Sequence, residues 1–418
     1  MIKEWKGKWK NVSLLKTPRS ERLHIAIFGR RNAGKSSLIN AITGQEIATV
    51  SSIKGTTTDP VYKSMELLPI GPVVLIDTAG LDDSGELGEL RKKKTLDVLN
   101  RTELAIVVID ATEGLTDFER DIVDQIQKKG IPVVGAINKT DLAKVPFKEV
   151  SGIESQLKIS CIPVSASNCQ GIEELKKALI STARPIKKEK KIVADLLKPE
   201  DMVVLVVPID ESAPKGRLIL PQQQVIRELL DHGITAVVTR EFTLSQTLKN
   251  LGQKPQLVIT DSQVFKQVSK LVPQDIPLTS FSILFARYKG DLDEMIKGAY
   301  SVQNLKDGDM VLVAEACTHH RQDEDIGRVK IPRWIREKTG KDIIFEFTSG
   351  GDFPEKLDKY ALVIHCGACM LNPKAMEHRI ERAVESKVPM VNYGVLIAYL
   401  QGILDRVTEI FREGNKDE

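Results

Sequence analysis

Cysteine, histidine, aromatic residues and net charge are all scarce in this chain. Of 418 residues, five are Cys and six are His, aromatics make up 5%, and the formal charge is +3. An odd, irregularly spaced set of five cysteines excludes a disulfide framework and fits a reducing cytoplasm. A near-neutral charge gives no support for nucleic acid as a partner. The short lysine clusters Lys187-Lys188 and Lys190-Lys191 read as solvated linker. No run of about 18 apolar residues occurs, so no membrane span is expected. The opening residues Met1 to Lys6 lack the apolar segment and cleavage site of a signal peptide. What the chain does have is 42% hydrophobic and 28% charged residues, the composition of a soluble globular protein. Its length calls for two or three cores rather than one.

The first motif follows the apolar run Leu23 to Phe28, which suits a buried parallel strand. Gly29-Arg30-Arg31-Asn32-Ala33-Gly34-Lys35-Ser36 fits GxxxxGK[ST], and an apolar-periodic helix continues from Ser37 to Ile42. A strand, a glycine loop and a helix N-terminus in that order form a phosphate cradle of backbone N–H groups. Lys35 is placed to reach the β- and γ-phosphates, and Ser36 to ligate Mg²⁺. Asn138-Lys139-Thr140-Asp141 follows a second apolar strand and supplies guanine recognition. Asp141 accepts from the N1–H and the exocyclic amine, a pattern that adenine cannot satisfy. Ser165-Ala166-Ser167 ends a third strand and closes over the base, so GTP is the expected nucleotide. Asp77-Thr78-Ala79-Gly80 follows Val73 to Ile76; Asp77 is expected to hold Mg²⁺ through water and Gly80 to sense the γ-phosphate. Thr57, in Gly55-Thr56-Thr57-Thr58-Asp59, is the expected Mg²⁺-ligating threonine.

Over roughly residues 20–185 these motifs resemble the TrmE–Era–EngA group of GTPases. The resemblance implies that Asn32 helps bind a potassium ion, which supplies charge otherwise brought by an arginine finger. It points to Glu89 for orienting water, because Leu81 stands where Ras-type enzymes carry glutamine. Thr58 replaces the arginine of the group's GTTRD.

After a basic linker, the middle of the chain reads as a small α/β unit. Strands are expected at Val203 to Val207, Thr235 to Thr239 and Leu257 to Thr260, with helices at Gln222 to Leu230 and Gln263 to Leu271. It carries no acid–base pair and no glycine fingerprint, which leaves a plain scaffold or an oligomerisation surface.

Farther along, the apolar run Val311 to Ala316 delivers Cys317, His319 and His320, and Tyr360 to Ile364 delivers His365, Cys366 and Cys369. Helices are expected at Ile331 to Thr339 and Asn372 to Ser386, and a further strand at Val388 to Asn392. In open α/β sheets ligands gather at strand C-termini, so the three thiols are expected around one cavity. Burial as small apolar groups suits Cys161 and Cys169 but not the exposed CxxC loop. Zinc held by Cys₃His fits the donor set. So does an iron–sulfur cluster with one non-cysteine position.

A GTPase domain followed by CxH and HCxxC resembles the [FeFe]-hydrogenase maturation GTPases, the HydF family, over nearly the whole chain. The resemblance implies an α/β protein, a P-loop GTPase domain followed by two smaller α/β domains with mainly parallel sheets. The expected divisions are an arm over 1–20, the GTPase domain over 21–185, a dimerisation domain over 192–278 and a cluster-binding domain over 279–418. It implies Cys317, Cys366 and Cys369 as ligands of a [4Fe-4S] cluster, with a labile fourth ligand drawn from Glu324, His319 and His365. It also implies a transient di-iron precursor as cargo, two radical-SAM maturases and the hydrogenase apoprotein as partners, and a homodimer or higher oligomer in the cytoplasm. The competing reading is an RNA-linked GTPase of the Era or TrmE type with structural zinc. Charge balance and the lack of aromatic-basic patches in residues 280–418 weigh against it.

Overall fold

The computed structural model describes residues 17–44, 60–78, 94–183, 190–209, 218–316, 325–350 and 352–413. The chain divides into two compact units, Met1–Lys188 and Glu189–Glu418.

In the first unit a six-stranded sheet runs in the order β2-β3-β1-β4-β5-β6. Its strands are β1 (Leu23–Phe28), β2 (Val61–Leu67), β3 (Gly71–Asp77), β4 (Leu104–Asp110), β5 (Val133–Asn138) and β6 (Cys161–Pro163). Only β2 runs antiparallel, against β3. Both faces of the central strands are covered, as their continuous apolar sequences require. Along β1, Leu23, Ile25 and Ile27 enter one core with helices α1 (Lys35–Thr43) and α4 (Ile172–Ala183). Ala26 and Phe28 enter the opposite core with α2 (Asp117–Lys128) and α3 (Phe147–Leu157). Gly135 permits β6 to approach β5, since a Cβ there would stand 2.4 Å from Cys161 Sγ. Burial pushes the Cys161 thiol up to about 12, so this cysteine is inert packing. Cys169, expected to be buried likewise, is instead exposed in a turn with φ +56°.

The second unit holds two four-stranded sheets, ordered β10-β9-β7-β8 and β12-β11-β13-β14, and all their pairings are parallel. The first contains β7 (Met202–Val206), β8 (Thr235–Thr239), β9 (Leu257–Thr260) and β10 (Leu278–Ser280). The second contains β11 (Met310–Glu315), β12 (Ile344–Ser349), β13 (Leu362–His365) and β14 (Met390–Asn392). The helices between them are α5 (Leu220–Asp231), α6 (Leu244–Asn250), α7 (Phe265–Leu271), α8 (Phe281–Lys289), α9 (Leu292–Ser301), α10 (Ile331–Thr339), α11 (Pro373–Glu385), α12 (Tyr393–Leu400) and α13 (Leu404–Glu413). One hydrophobic core runs from Val204, Val258 and Phe265 to Val311, Val363 and Val407, so the two sheets share an interior. Close backbone approach at Gly298, whose Cβ would stand 2.0 Å from the Met390 carbonyl oxygen, seats α9 on β14. No helix among the described residues is long and apolar enough to cross a membrane.

Candidate functional site

The nucleotide site forms at the C-terminal ends of the first sheet. Ile27 pairs with Asp77, and Asp110 with Asn138, so the carboxylates and the amide stand along one edge. The loop after β1 enters α1 through Gly34, at φ +88°, where a Cβ would meet Asn138 Nδ2 at 2.3 Å. That contact leaves room for glycine alone. Asn32, also left-handed at φ +61°, lies in the same loop. Lys35 is buried and donates to the carbonyl oxygens of Gly29 (2.8 Å) and Arg30 (2.7 Å). These bonds hold its ammonium over the cradle where phosphate oxygens would take it up. Ser36 Oγ donates to Asp77 Oδ2 at 2.6 Å, so the two expected Mg²⁺ groups touch. Burial raises the Asp77 carboxyl, while Ser36 and the charges of Lys35 and Lys63 pull it back down. Ser37 lies in the first turn of α1.

On the base side Asn138 braces two loops. Its Nδ2 donates to the Ala33 carbonyl (2.9 Å) and its Oδ1 accepts from the Ala166 N–H (3.1 Å). Asp141 accepts from Ser165 Oγ at 2.7 Å and Ser167 Oγ at 3.0 Å. The Ser165 hydroxyl is the main reason its carboxyl sits below the usual range. The two serine hydroxyls thereby fix an acceptor-only group in this loop. Lys139, at φ +68°, donates to Asp110 Oδ2 at 2.6 Å. No individual role attaches to Asp110 or Ser167 in sequence, although each closes a recognised run, β4 and the Ser-Ala-Ser loop. Thr57, Gly80 and Glu89 lie outside the described residues.

The cysteine site forms at the ends of β11 and β13, which pair through Ala314 and His365. Cys366 N–H donates to the Ala314 carbonyl at 3.0 Å, which stitches the loop to the strand end. The Ala316 N–H in turn donates to Cys366 Sγ at 3.1 Å. Such N–H···S bonds favour the thiolate. Cys366 and Cys369 are half-buried cysteines, and Ala368 between them turns the loop at φ +52°. Cys317, which follows Ala316 in sequence, lies outside the described residues, as do His319, His320 and Glu324. Among the described residues no three His, Cys, Asp or Glu side chains come together to hold a metal ion. The donor chemistry suits a soft metal or an iron–sulfur cluster, with two thiols at a strand end and a backbone donor on one sulfur.

His365 is fully buried and both its ring nitrogens are engaged. Nε2 stands 2.8 Å from an Arg379 terminal nitrogen, and Nδ1 stands 2.8 Å from the Cys366 carbonyl oxygen. Guanidinium can only donate, so Nε2 accepts and the ring proton sits on Nδ1, bonded to Cys366. Nearby, Tyr393 Oη donates to Glu315 Oε1 at 3.3 Å, and Arg328 Nε lies 3.7 Å from Glu315 Oε2. Burial, with Asp325 adding to it, raises the Glu315 carboxyl. None of these neighbours carried a sequence signal beyond its place in a helix or strand.

Three family models match the chain. A 50S ribosome-binding GTPase model covers residues 24–139, a hydrogen maturase F dimerization domain model covers 192–290, and a hydrogen maturase F tetramerization domain model covers 293–410. Among curated relatives, the tRNA modification GTPase MnmE of Nitrosomonas europaea is 35% identical over 164 residues, which is 39% of this chain and 35% of that protein. GTPase Der of Kosmotoga olearia is 36% identical over 177 residues, 40% of each. The match thus spans well under half the length of these relatives. A solved Aquifex aeolicus Era variant bound to GDP and aluminium fluoride covers 55% of this chain and 98% of its own, at 20% identity and a TM-score of 0.35. The N-terminal unit is therefore a P-loop GTPase domain, and, with both hydrogen maturase F models following it along the chain, the protein belongs to the hydrogen maturase F family.

Proposed function

We propose that this protein is a GTP-hydrolysing scaffold and carrier in [FeFe]-hydrogenase maturation. It binds a [4Fe-4S] cluster in residues 279–418 and passes a di-iron precursor, its cargo, from radical-SAM maturases to the apo-hydrogenase. The observation that carries the reading is the juxtaposition of Ala316, the residue before Cys317, with the Cys366 sulfur at 3.1 Å. Cys317, Cys366 and Cys369 would hold the cluster, which supplies one exchangeable coordination position when bound. The occupied ring nitrogens of His365 leave Glu324 and His319 as the fourth-ligand candidates. The dimerization and tetramerization domains support a homo-oligomer, with residues 192–278 as the dimerising part.

In the first unit GTP loses its γ-phosphate to water. Lys35 and the loop N–H groups would neutralise the phosphates, and Ser36 and Thr57 would hold Mg²⁺, with Asp77 holding it through water, to offset charge on the phosphates. Gly80 would sense the γ-phosphate, Glu89 would orient water, and Asn32 would hold potassium, which would supply positive charge to the phosphates. Equal turnover in sodium and potassium would remove that role from Asn32. Hydrolysis then acts as a switch on partner contacts.

Anaerobic purification tests the reading. Equimolar iron and sulfide with a reduced-cluster EPR signal are expected in the wild type, and both are lost in Cys366→Ser. A colourless protein with stoichiometric zinc would overturn the proposal in favour of the Era-type alternative.

A further inference from the structure

Lys289 is a lysine with 1% of its surface exposed, in the interior of the second unit. It is the last residue of α8, a helix within the span of the hydrogen maturase F dimerization domain model (192–290), at a helix end where lysines ordinarily reach solvent. Its side chain instead runs to the CxxC loop. Nζ donates to the Leu371 carbonyl at 3.0 Å and to the Ala368 carbonyl at 3.5 Å. The Phe285 ring lies 5.6 Å from the same nitrogen. Ala368 is one of the two residues between the loop cysteines and Leu371 follows the second by two, so the ammonium is bonded to the backbone of the loop that carries the thiols. Asn372 caps α11 immediately beyond, through a bond to the Ala375 N–H, so the loop is held at both ends.

A buried charge is costly unless it meets hydrogen-bond partners or opposite charge. The two carbonyls of the loop serve the ammonium as hydrogen-bond partners. The group that the loop is built to bind, three thiolates and the cluster they hold, brings opposite charge, and its negative charge grows by one on reduction. In an interior of low effective dielectric the ammonium favours the more negative state.

We infer that Lys289 sets the reduction potential of the cysteine site by placing a buried positive charge behind the Cys366–Cys369 loop. The inference rests on the cluster reading proposed for this site. The Lys289 ammonium and the Ala316 N–H bond to Cys366 Sγ act in the same direction, toward the reduced form. Lys289 is a positioning and charge-compensating residue, and it makes the C-terminal end of α8 part of the cluster's environment.

The test is an EPR-monitored dithionite titration of the anaerobically purified full chain and of Lys289→Met, which preserves side-chain length and removes the charge. The expected result is at least a tenfold fall in the reduced-to-oxidised ratio at a given potential. For one electron that is a midpoint about 59 mV more negative. Should Lys289→Met not fold, Lys289→Gln, which keeps a donor for the two carbonyls and loses the charge, carries the same expectation. A folded variant with a full iron complement and an unmoved midpoint would overturn the inference. A wild type that assembles no cluster would overturn the cluster reading instead, so the two failures are distinct.

Discussion

At the scale of single residues, the nucleotide site is held by contacts that admit little change. Gly34 combines a left-handed backbone with a side-chain neighbour, Asn138 Nδ2, 2.3 Å from where a Cβ would stand. Gly34→Ala is expected to cost the first unit about 1–2 kcal/mol from the backbone alone. It also forces Asn138 out of its bonds to Ala33 and Ala166, so GDP affinity should fall at least tenfold in a fluorescent-nucleotide titration. Near-native affinity would mean that Asn138 yields. Asp110 gives a pH prediction. Burial works against its ionisation, but the Lys139 ammonium and the Thr112 hydroxyl and N–H outweigh burial and hold the carboxyl below the usual range. A depressed folded value contributes stability that is present above the ordinary aspartate pKa of about 3.9 and is lost as pH falls through the folded value. Urea midpoints of the first unit should therefore drop on acidification below about pH 4, and Asp110→Asn should be less stable near neutrality with a flatter profile. An unchanged profile in the variant would exclude the Asp110–Lys139 link as the source. The motif residues were legible in the sequence because phosphate and guanine demand particular groups at fixed spacing. Lys289 and Arg379 were not, since a basic residue in a helix has the same letter whether it faces water or a buried carbonyl.

Among elements, apolar runs bounded by turn residues translated directly into structure: Thr235–Thr239, Leu257–Thr260 and Ile331–Thr339 form with the bounds their patterns imply. Helix α8 went unread because Phe281, Ile283, Leu284, Phe285 and Ala286 are all buried, which leaves no polar face to mark a helical period. Strand β12 went unread for the opposite reason, being a half-exposed edge strand with no continuous apolar run. How an element is anchored is equally invisible in sequence. The Glu228 carboxylate on α5 accepts the backbone N–H groups of Ile192 (2.9 Å), Val193 (2.8 Å) and Ala194 (2.9 Å), where the chain enters the second unit. Ile192, Val193 and Ala194 are buried, so removing their acceptor leaves donors without partners. Glu228→Ala should destabilise the second unit by about 2–4 kcal/mol, read from its urea midpoint. Glu228→Gln, which retains one acceptor oxygen, should fall between. A loss below about 0.5 kcal/mol would mean that the segment is held by its apolar side chains alone.

For the whole chain, composition and motif order were enough to separate a GTPase unit from the C-terminal remainder, but not to say how that remainder coheres. Beyond residue 188 the sequence alternates strands and helices in two successive groups, which reads as two domains. A single core joins Val258 and Phe265 of one to Val311 and Leu396 of the other. The C-terminal helix α13 returns to the first group, where Arg406 donates to the carbonyls of Ser269 (2.6 Å), Val272 (2.8 Å) and Pro273 (3.0 Å). Asn392, at the end of β14, donates to the Ser282 carbonyl of α8 at 2.9 Å, and a Cβ on Gly394 would stand 2.3 Å from the Ser282 side chain. These tight contacts across the groups cannot be broken without exposing apolar surface on both. A fragment covering residues 189–418 should therefore unfold cooperatively in calorimetry, with one transition and exchange-protected amides in β7 and β11 alike. A fragment covering 189–290 should show no cooperative transition, because one of the two cores that cover its sheet is completed by residues after 291. An independently folded 189–290 fragment would mean that its own sheet suffices, and that the shared core is an interface between two domains rather than the interior of one.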